Sequence, residues 1–191
     1  QSFPEKTKSI RINELIWKNP IINNELYEIY TEIKVEEDKV VCNTINRLNN
    51  QEYCLAEISF SQEAKNDKRD IAVLQSQYGE DVSPDMIYGR MNQKGYYYGN
   101  SFRTIKKLSL RENEAIGILK SSKSRQIKSE ELDIQILDGA LQIAMYAFFI
   151  SKENSKTVYP FYIESFRINE SLLDLEEELY VYTYKQGDKI Q

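Results

Sequence analysis

One segment, residues 135–150, constrains the fold most, because it is apolar on nearly every side of a helix. One stripe of this helix contains Leu137, Leu141, Ala144, Met145 and Phe148, and the other faces contain Ala140, Ile143 and Ala147. Such a helix is not stable on a protein surface, where water would contact apolar side chains on any exposed side. We therefore expect a buried helix that the rest of the chain surrounds.

The segments on both sides of this helix alternate apolar and polar side chains, as half-buried strands do. Strands are predicted over residues 9–17, 27–35, 40–45 and 54–60, with turns at Glu37-Asp38 and Asn49-Asn50, and these strands form an antiparallel meander. One face of the second strand contains Tyr27, Ile29, Thr31, Ile33 and Val35. Further strands are predicted within 96–119, 158–166 and 179–184. Strands, short helices, strands, one buried helix and strands, in that order, indicate the α+β class.

Two short helices are predicted between the meander and the next strands. Ile71, Leu74 and Tyr78 have helical spacing. Ser83-Pro84-Asp85 is a strong helix start, with a capping serine, a proline at the first position and an aspartate near the positive end of the dipole. Gly95 is the predicted end of this second helix.

The composition argues against nucleic-acid and membrane partners and against a zinc site. The net charge of −5 gives no basic footprint for nucleic acid, and no apolar run approaches the ~20 residues of a membrane span. We expect a cytoplasmic protein with neither partner. The chain has no histidine and 2 cysteines, Cys42 and Cys54, which argues against a zinc site and predicts two small buried thiols.

Four motifs stand in a distinctive order. They are Trp17-Lys18-Asn19-Pro20, then Gly95-Tyr96-Tyr97-Tyr98-Gly99-Asn100-Ser101-Phe102-Arg103, then Leu137-Asp138-Gly139-Ala140-Leu141-Gln142, then Tyr159-Pro160-Phe161. Together they resemble the dehydratase domain of modular polyketide synthases, particularly the bacterial type that works with free-standing acyltransferases. Asn100 replaces a usual proline, and Asp133-Ile134 replaces a usual His-Pro pair.

The resemblance implies a hot-dog fold, in which an antiparallel sheet wraps round a buried central helix. This family has two such halves, and the chain lacks the first half's His-x-x-x-Gly-x-x-x-x-Pro motif and its central helix. We therefore expect an incomplete double hot-dog. Residues 1–62 would be a remnant of the first hot-dog, 63–94 a connection with short helices, and 95–191 the second hot-dog, with its central helix at 135–150.

The resemblance also implies the site. Dehydration of a β-hydroxyacyl thioester needs a base for the α-proton and an acid for the departing oxygen. In the family the base is a histidine of the first half and the acid is an aspartate, here Asp138, which Gln142 one helical turn away would orient. The predicted substrate tunnel contains Tyr98, Gly99, Phe102, Pro160 and Phe161.

Each of these residues also has an ordinary structural interpretation. Asp138 would be a carboxylate that the helix N-terminus stabilises, and Gly99 would be a turn glycine. The tyrosine triplet is better explained by strand packing. Pro160 and Phe161 would be a strand edge and a core aromatic.

Because the base is missing, the chain alone is predicted to be inactive. The favoured hypothesis is a truncated, non-catalytic dehydratase-like domain with a structural, dimerising or carrier-docking role in antibiotic polyketide biosynthesis. The alternative is one portion of a split dehydratase whose histidine comes from another segment or chain. A weaker alternative is a stand-alone hot-dog protein that binds acyl thioesters.

The resemblance further implies the substrate's carrier and the partners. No cofactor is expected to bind directly, since the substrate would arrive on the phosphopantetheine arm of an acyl carrier protein. Neighbouring polyketide synthase domains are expected partners, and so is a second copy of the chain in a homodimer.

Overall fold

The computed structural model describes residues 9–22, 26–61, 70–79, 81–120, 134–151, 162–169, 178–186 and 189–190. The predicted tunnel residues Pro160 and Phe161 lie outside these ranges. The elements in chain order are β1 (Ser9–Trp17), β2 (Ile29–Val35), β3 (Lys39–Asn46), β4 (Gln51–Ser61), α1 (Ile71–Ser76), β5 (Asp81–Val82), α2 (Pro84–Gln93), β6 (Ile105–Arg111), β7 (Glu114–Lys120), α3 (Ile134–Met145), β8 (Tyr162–Asn169), β9 (Glu178–Gln186) and β10 (Lys189–Ile190).

The chain divides into two compact units. The first unit contains Gln1–Asn66 and Tyr159–Leu172, and the second contains Asp67–Val158 and Leu173–Gln191. This division differs from the predicted boundaries in that β8 belongs with the first unit, because it pairs antiparallel with β1. The predicted connection with its short helices belongs largely to the second unit.

A five-stranded sheet forms the first unit, in the order β2-β3-β4-β1-β8. All its pairings are antiparallel. The predicted meander is confirmed for β2, β3 and β4, but not for β1, which pairs with β4 and β8 rather than with β2. One row of paired residues crosses the whole sheet and is apolar in every strand: Val35, Val40, Ile58, Ile12 and Phe166. Neighbouring paired residues lie on the same face of a sheet, so this face is apolar across its full width.

The two cysteines lie on this sheet, in β3 and β4. Cys42 and Cys54 are both half-buried free thiols, and burial raises the pKa of each. A raised thiol pKa leaves little thiolate at neutral pH. The sequence predicts two buried thiols, whereas both are only half-buried in the structure.

A second sheet, in the order β10-β9-β7-β6-β5, belongs to the second unit together with α3. Two glycines let the helix lie close to its neighbours. A Cβ on Gly117 of β7 would overlap the Ile143 side chain of α3, and one on Gly139 of α3 would overlap the Thr104 hydroxyl. The core there contains Ile87, Met91, Leu108, Leu119 and Ile143, each fully buried.

The predicted buried helix at 135–150 is confirmed in position. It is an α-helix over Ile134–Met145 and continues as a π-helical turn over Tyr146–Ile150, where the Ser151 N–H donates to the Tyr146 carbonyl. Within the described residues, no helix is long and apolar enough to cross a lipid bilayer.

The start and end of α2 follow the sequence signals. The Ser83 hydroxyl caps the helix by accepting from the Met86 N–H at 3.3 Å, and Pro84 is its first residue. Gly95 follows the helix with a φ of +88°, in the left-handed region that glycine adopts without steric cost. The buried side of this helix contains Ile87, Tyr88 and Met91.

The prediction of strands throughout 96–119 is wrong for its first part. Residues 96–99 are irregular and Asn100–Phe102 form a 3-10 turn, whereas β6 and β7 account for the rest. Tyr96 is buried, Tyr97 is 82% exposed and Tyr98 is half-buried, so burial alternates as it does in a strand. Alternation alone does not make a strand, because a strand also needs a hydrogen-bonding neighbour. Strand packing therefore does not explain the tyrosine triplet.

Candidate active site

Asp138 lies in the second turn of α3 and is half-buried. The free N–H groups of a helix belong to its first turn, so the helix N-terminus does not explain this carboxyl group. Burial raises the pKa of Asp138 above its ordinary value of 3.8, and a hydrogen bond from Gln142 opposes that rise. A carboxyl group with a raised pKa keeps its proton at higher pH, as a general acid must.

Gln142 is one turn further along α3 and is fully buried. Its Nε2 donates to Asp138 Oδ2 at 2.5 Å and to the carbonyl oxygen of Phe102 at 3.0 Å. Its Oε1 accepts from the Tyr88 hydroxyl at 3.1 Å. Both amide hydrogens and the amide oxygen therefore have partners, and the predicted contact between Asp138 and Gln142 is present.

The direction of each hydrogen bond follows from the backbone. The Ile105 N–H donates to the Tyr88 hydroxyl oxygen at 3.1 Å, and a backbone N–H can only donate. Tyr88 therefore has its single proton free for Gln142 Oε1. The amide oxygen of Gln142 faces Tyr88, and its nitrogen faces Asp138.

Two side chains flank the Tyr88 ring. The guanidinium carbon of Arg103 lies 5.3 Å from the ring centroid, within cation–π range. The Tyr98 ring meets it edge to face, with centroids 6.3 Å apart. Arg103 Nε also donates to the Tyr98 carbonyl oxygen at 3.0 Å, which ties the two flanking residues together.

The remaining predicted tunnel residues occupy different positions. Phe102 contributes its carbonyl oxygen to Gln142, while its ring is 36% exposed. Gly99 is exposed, has an ordinary φ of −68°, and would meet nothing within 4 Å if it carried a Cβ. Its conformation does not require glycine. A tunnel wall formed by Tyr98, Gly99 and Phe102 stays a prediction.

Comparison with known proteins decides the family. A family model described as the polyketide synthase dehydratase N-terminal domain matches residues 66–188, more than half of the chain. The chain belongs to the polyketide synthase dehydratase family. This match confirms the resemblance that the motifs predicted. No curated protein matches the chain.

Solved dehydratase structures share the fold. A trans-AT polyketide synthase dehydratase domain from Brevibacillus brevis matches with a TM-score of 0.81 and 16% identity, covering 99% of this chain and 68% of that one. The dehydratase domain from the CurJ module of curacin polyketide synthase matches with 0.77 and 19%, covering 95% and 64%. The dehydratase domain of RzxB from Pseudomonas fluorescens matches with 0.75 and 18%, covering 98% and 68%.

These matches confirm the hot-dog fold and the α+β class. At such identities they show the fold alone. The chain spans about two thirds of the length of these dehydratase structures.

Sequence reasoning missed most of the surroundings of Asp138 in this dehydratase-family chain. The sequence patterns give Tyr88 no role, and they place Arg103 only at the end of a motif. The Phe102 carbonyl and the Ile105 N–H are backbone atoms, which no side-chain pattern identifies. The position of Tyr88 on the buried side of α2, beside Ile87 and Met91, was the available signal, since a buried tyrosine hydroxyl needs a partner.

The arrangement can supply one half of a dehydration. Asp138 can donate a proton to a departing hydroxyl, and the Gln142 N–H can stabilise the carboxylate that forms. Removal of the α-proton needs a separate base, and the 191-residue sequence contains no histidine.

Proposed function

We propose that this chain is a dehydratase-like domain of a modular polyketide synthase that is not catalytic by itself. One observation supports the proposal most. The acid side of the site is complete in its hydrogen bonds, from Tyr88 through Gln142 to Asp138, in a chain with no histidine. Its own role would be structural, dimerising or docking of an acyl carrier protein.

The proposed chemistry assigns each proton. In the elimination, the base removes the α-proton, the α-carbon's electron pair forms the double bond, and the bond from the β-carbon to oxygen breaks. Asp138 gives its proton to that oxygen, which leaves as water. The carboxylate that remains is held by the Gln142 N–H. The chain offers no histidine to accept the α-proton.

The substrate and partners belong to the same proposal. The β-hydroxyacyl group would arrive on the phosphopantetheine arm of an acyl carrier protein, with no cofactor bound directly to the chain. Neighbouring synthase domains and a second copy of the chain would be its partners, in the cytoplasm.

A second candidate is a split dehydratase, in which another segment or chain supplies the histidine. The hydrogen bond from Gln142 to the half-buried carboxyl group of Asp138 favours it, because a site without any chemical role has no need of an oriented acid. On this alternative, Asp138 is functional as soon as a base is present.

A dehydration assay tests both candidates. The chain is incubated with a β-hydroxyacyl-loaded carrier protein, and the enoyl product is measured by mass spectrometry. We expect no product above the uncatalysed rate from the chain alone, and turnover would contradict the proposal.

The assay is then repeated with imidazole as an external base. Product that depends on imidazole and disappears in Asp138→Asn would support the split enzyme. No product, with carrier binding intact, would support the structural or docking role.

A further inference from the structure

We propose that Tyr88 is a positioning residue, whose hydroxyl holds the far end of the Gln142 amide so that its N–H stays directed at Asp138. The inference rests on the acid role proposed for Asp138 and adds the residue that sets its orientation. Tyr88 does not contact the carboxyl group in any recorded hydrogen bond, so it acts through Gln142.

The geometry of the amide is the first step. The Phe102 carbonyl holds one end of the Gln142 amide through Nε2. If the Phe102 carbonyl were its only other contact, the Gln142 amide could rotate about that contact. The N–H that donates to Asp138 would then turn away from the carboxyl group. The hydroxyl of Tyr88 holds the opposite end through Oε1 at 3.1 Å, which prevents this rotation.

The fixed position of Tyr88 is the second step. Its side chain is 5% exposed, and its hydroxyl accepts from the backbone N–H of Ile105, the first residue of β6. Its ring is flanked by Arg103 and Tyr98. Burial raises the pKa of Tyr88, so the hydroxyl keeps the proton that it donates. The orientation of the acid is therefore tied to a β-sheet backbone through three successive hydrogen bonds.

Tyr53 of the first unit is a matched control. It is also buried, at 4% exposure, and its hydroxyl donates to the side-chain oxygen of another glutamine, Gln51, at 3.2 Å. The change of tyrosine to phenylalanine at position 53 removes the same kind of hydrogen bond from the same kind of environment. It touches no group that contacts Asp138 in the described part of the chain.

The test measures the Asp138 carboxyl group by NMR in the full chain. Carbon-detected titration follows its pKa in wild type, Tyr88→Phe and Tyr53→Phe. The hydrogen bond from Gln142 lowers this pKa, so its loosening in Tyr88→Phe should raise the pKa above the wild-type value, while Tyr53→Phe should leave it unchanged. The two Nε2 proton signals of Gln142 should also shift in Tyr88→Phe alone. Unchanged Asp138 and Gln142 signals in a folded Tyr88→Phe variant would overturn the proposal.

A measurement on the wild type tests the same inference even if the Tyr88→Phe variant does not fold. A hydroxyl that donates to a buried amide oxygen exchanges slowly with water, so we expect a Tyr88 hydroxyl proton with a nuclear Overhauser contact to Gln142. A hydroxyl in fast exchange, without that contact, would contradict the inference. Neither readout requires turnover. If the dehydration proposal failed, these two measurements would still decide whether Tyr88 orients Gln142.

Discussion

The two sheets of this protein differ in what covers their apolar faces. In the second sheet, Leu108 and Leu119 are fully buried, and α3 lies against β7 through the fully buried Ile143. In the first sheet, Ile33 and Val35 at the β2 edge are 66% and 60% exposed. The described residues of the first unit include no helix.

This difference explains why the candidate acid Asp138 lies in the second unit. The pKa of a carboxyl group rises where water is largely excluded, because burial disfavours its charged form. Burial of α3 provides this condition, because it places Asp138 and Gln142 within an apolar helix beside a packed sheet. The first sheet presents apolar side chains to solvent at β2.

The largest expected effect tests the difference in burial between the two units, by substituting one isoleucine in each. Ile143→Ala removes a fully buried side chain from α3 and should cost about 2–5 kcal/mol of unfolding free energy. Ile33→Ala removes a side chain that is 66% exposed and should change stability by about 0.5 kcal/mol or less. Urea unfolding followed by circular dichroism measures both. Equal costs would show that β2 is covered as well as the core is.

A smaller change in stability, from a substitution at Gly139, tests how closely α3 packs against its neighbours. Alanine normally stabilises a helix relative to glycine by about 0.5–1 kcal/mol. At Gly139 the added Cβ would overlap the buried Thr104 hydroxyl and contact Leu119, so Gly139→Ala should instead cost about 1–3 kcal/mol.

Gly89 of α2 is the control for this substitution, because a Cβ there meets nothing within 4 Å. Gly89→Ala should therefore leave stability unchanged or raise it in the same unfolding experiment. If Gly139→Ala proved as harmless as Gly89→Ala, the helix would not lie against Thr104 as described.

The sequence was sufficient for the elements whose signals are local. The apolar periodicity of α3, the Ser83 cap of α2 and the glycine at position 95 each act within a few residues, and the structure contains all three. The contact of Asp138 with Gln142 was predictable for the same reason, since residues four apart meet on a helix.

The features that could not be predicted depend on distant contacts or on backbone atoms. Tyr88 meets Gln142 across 54 positions of sequence. The pairing of β8 with β1, which places β8 in the first unit, joins strands that are far apart in sequence, with Ile12 opposite Phe166. Residues 96–99 alternate in burial but are irregular in the structure, so their pattern predicted a strand that does not form there.

The central claim is that burial keeps the proton on Asp138 while the hydrogen bond from Gln142 orients its carboxyl group, and a carbon-detected NMR titration of the wild type tests the first part most directly. Asp81 is the internal reference, because its hydrogen bonds with Lys107 and Ser109 lower its pKa, whereas burial raises that of Asp138, from the same ordinary value of 3.8. We predict that, as pH rises, Asp81 loses its proton first and Asp138 retains its own to a pH above 3.8. An Asp138 that titrates together with Asp81, or before it, would contradict the account.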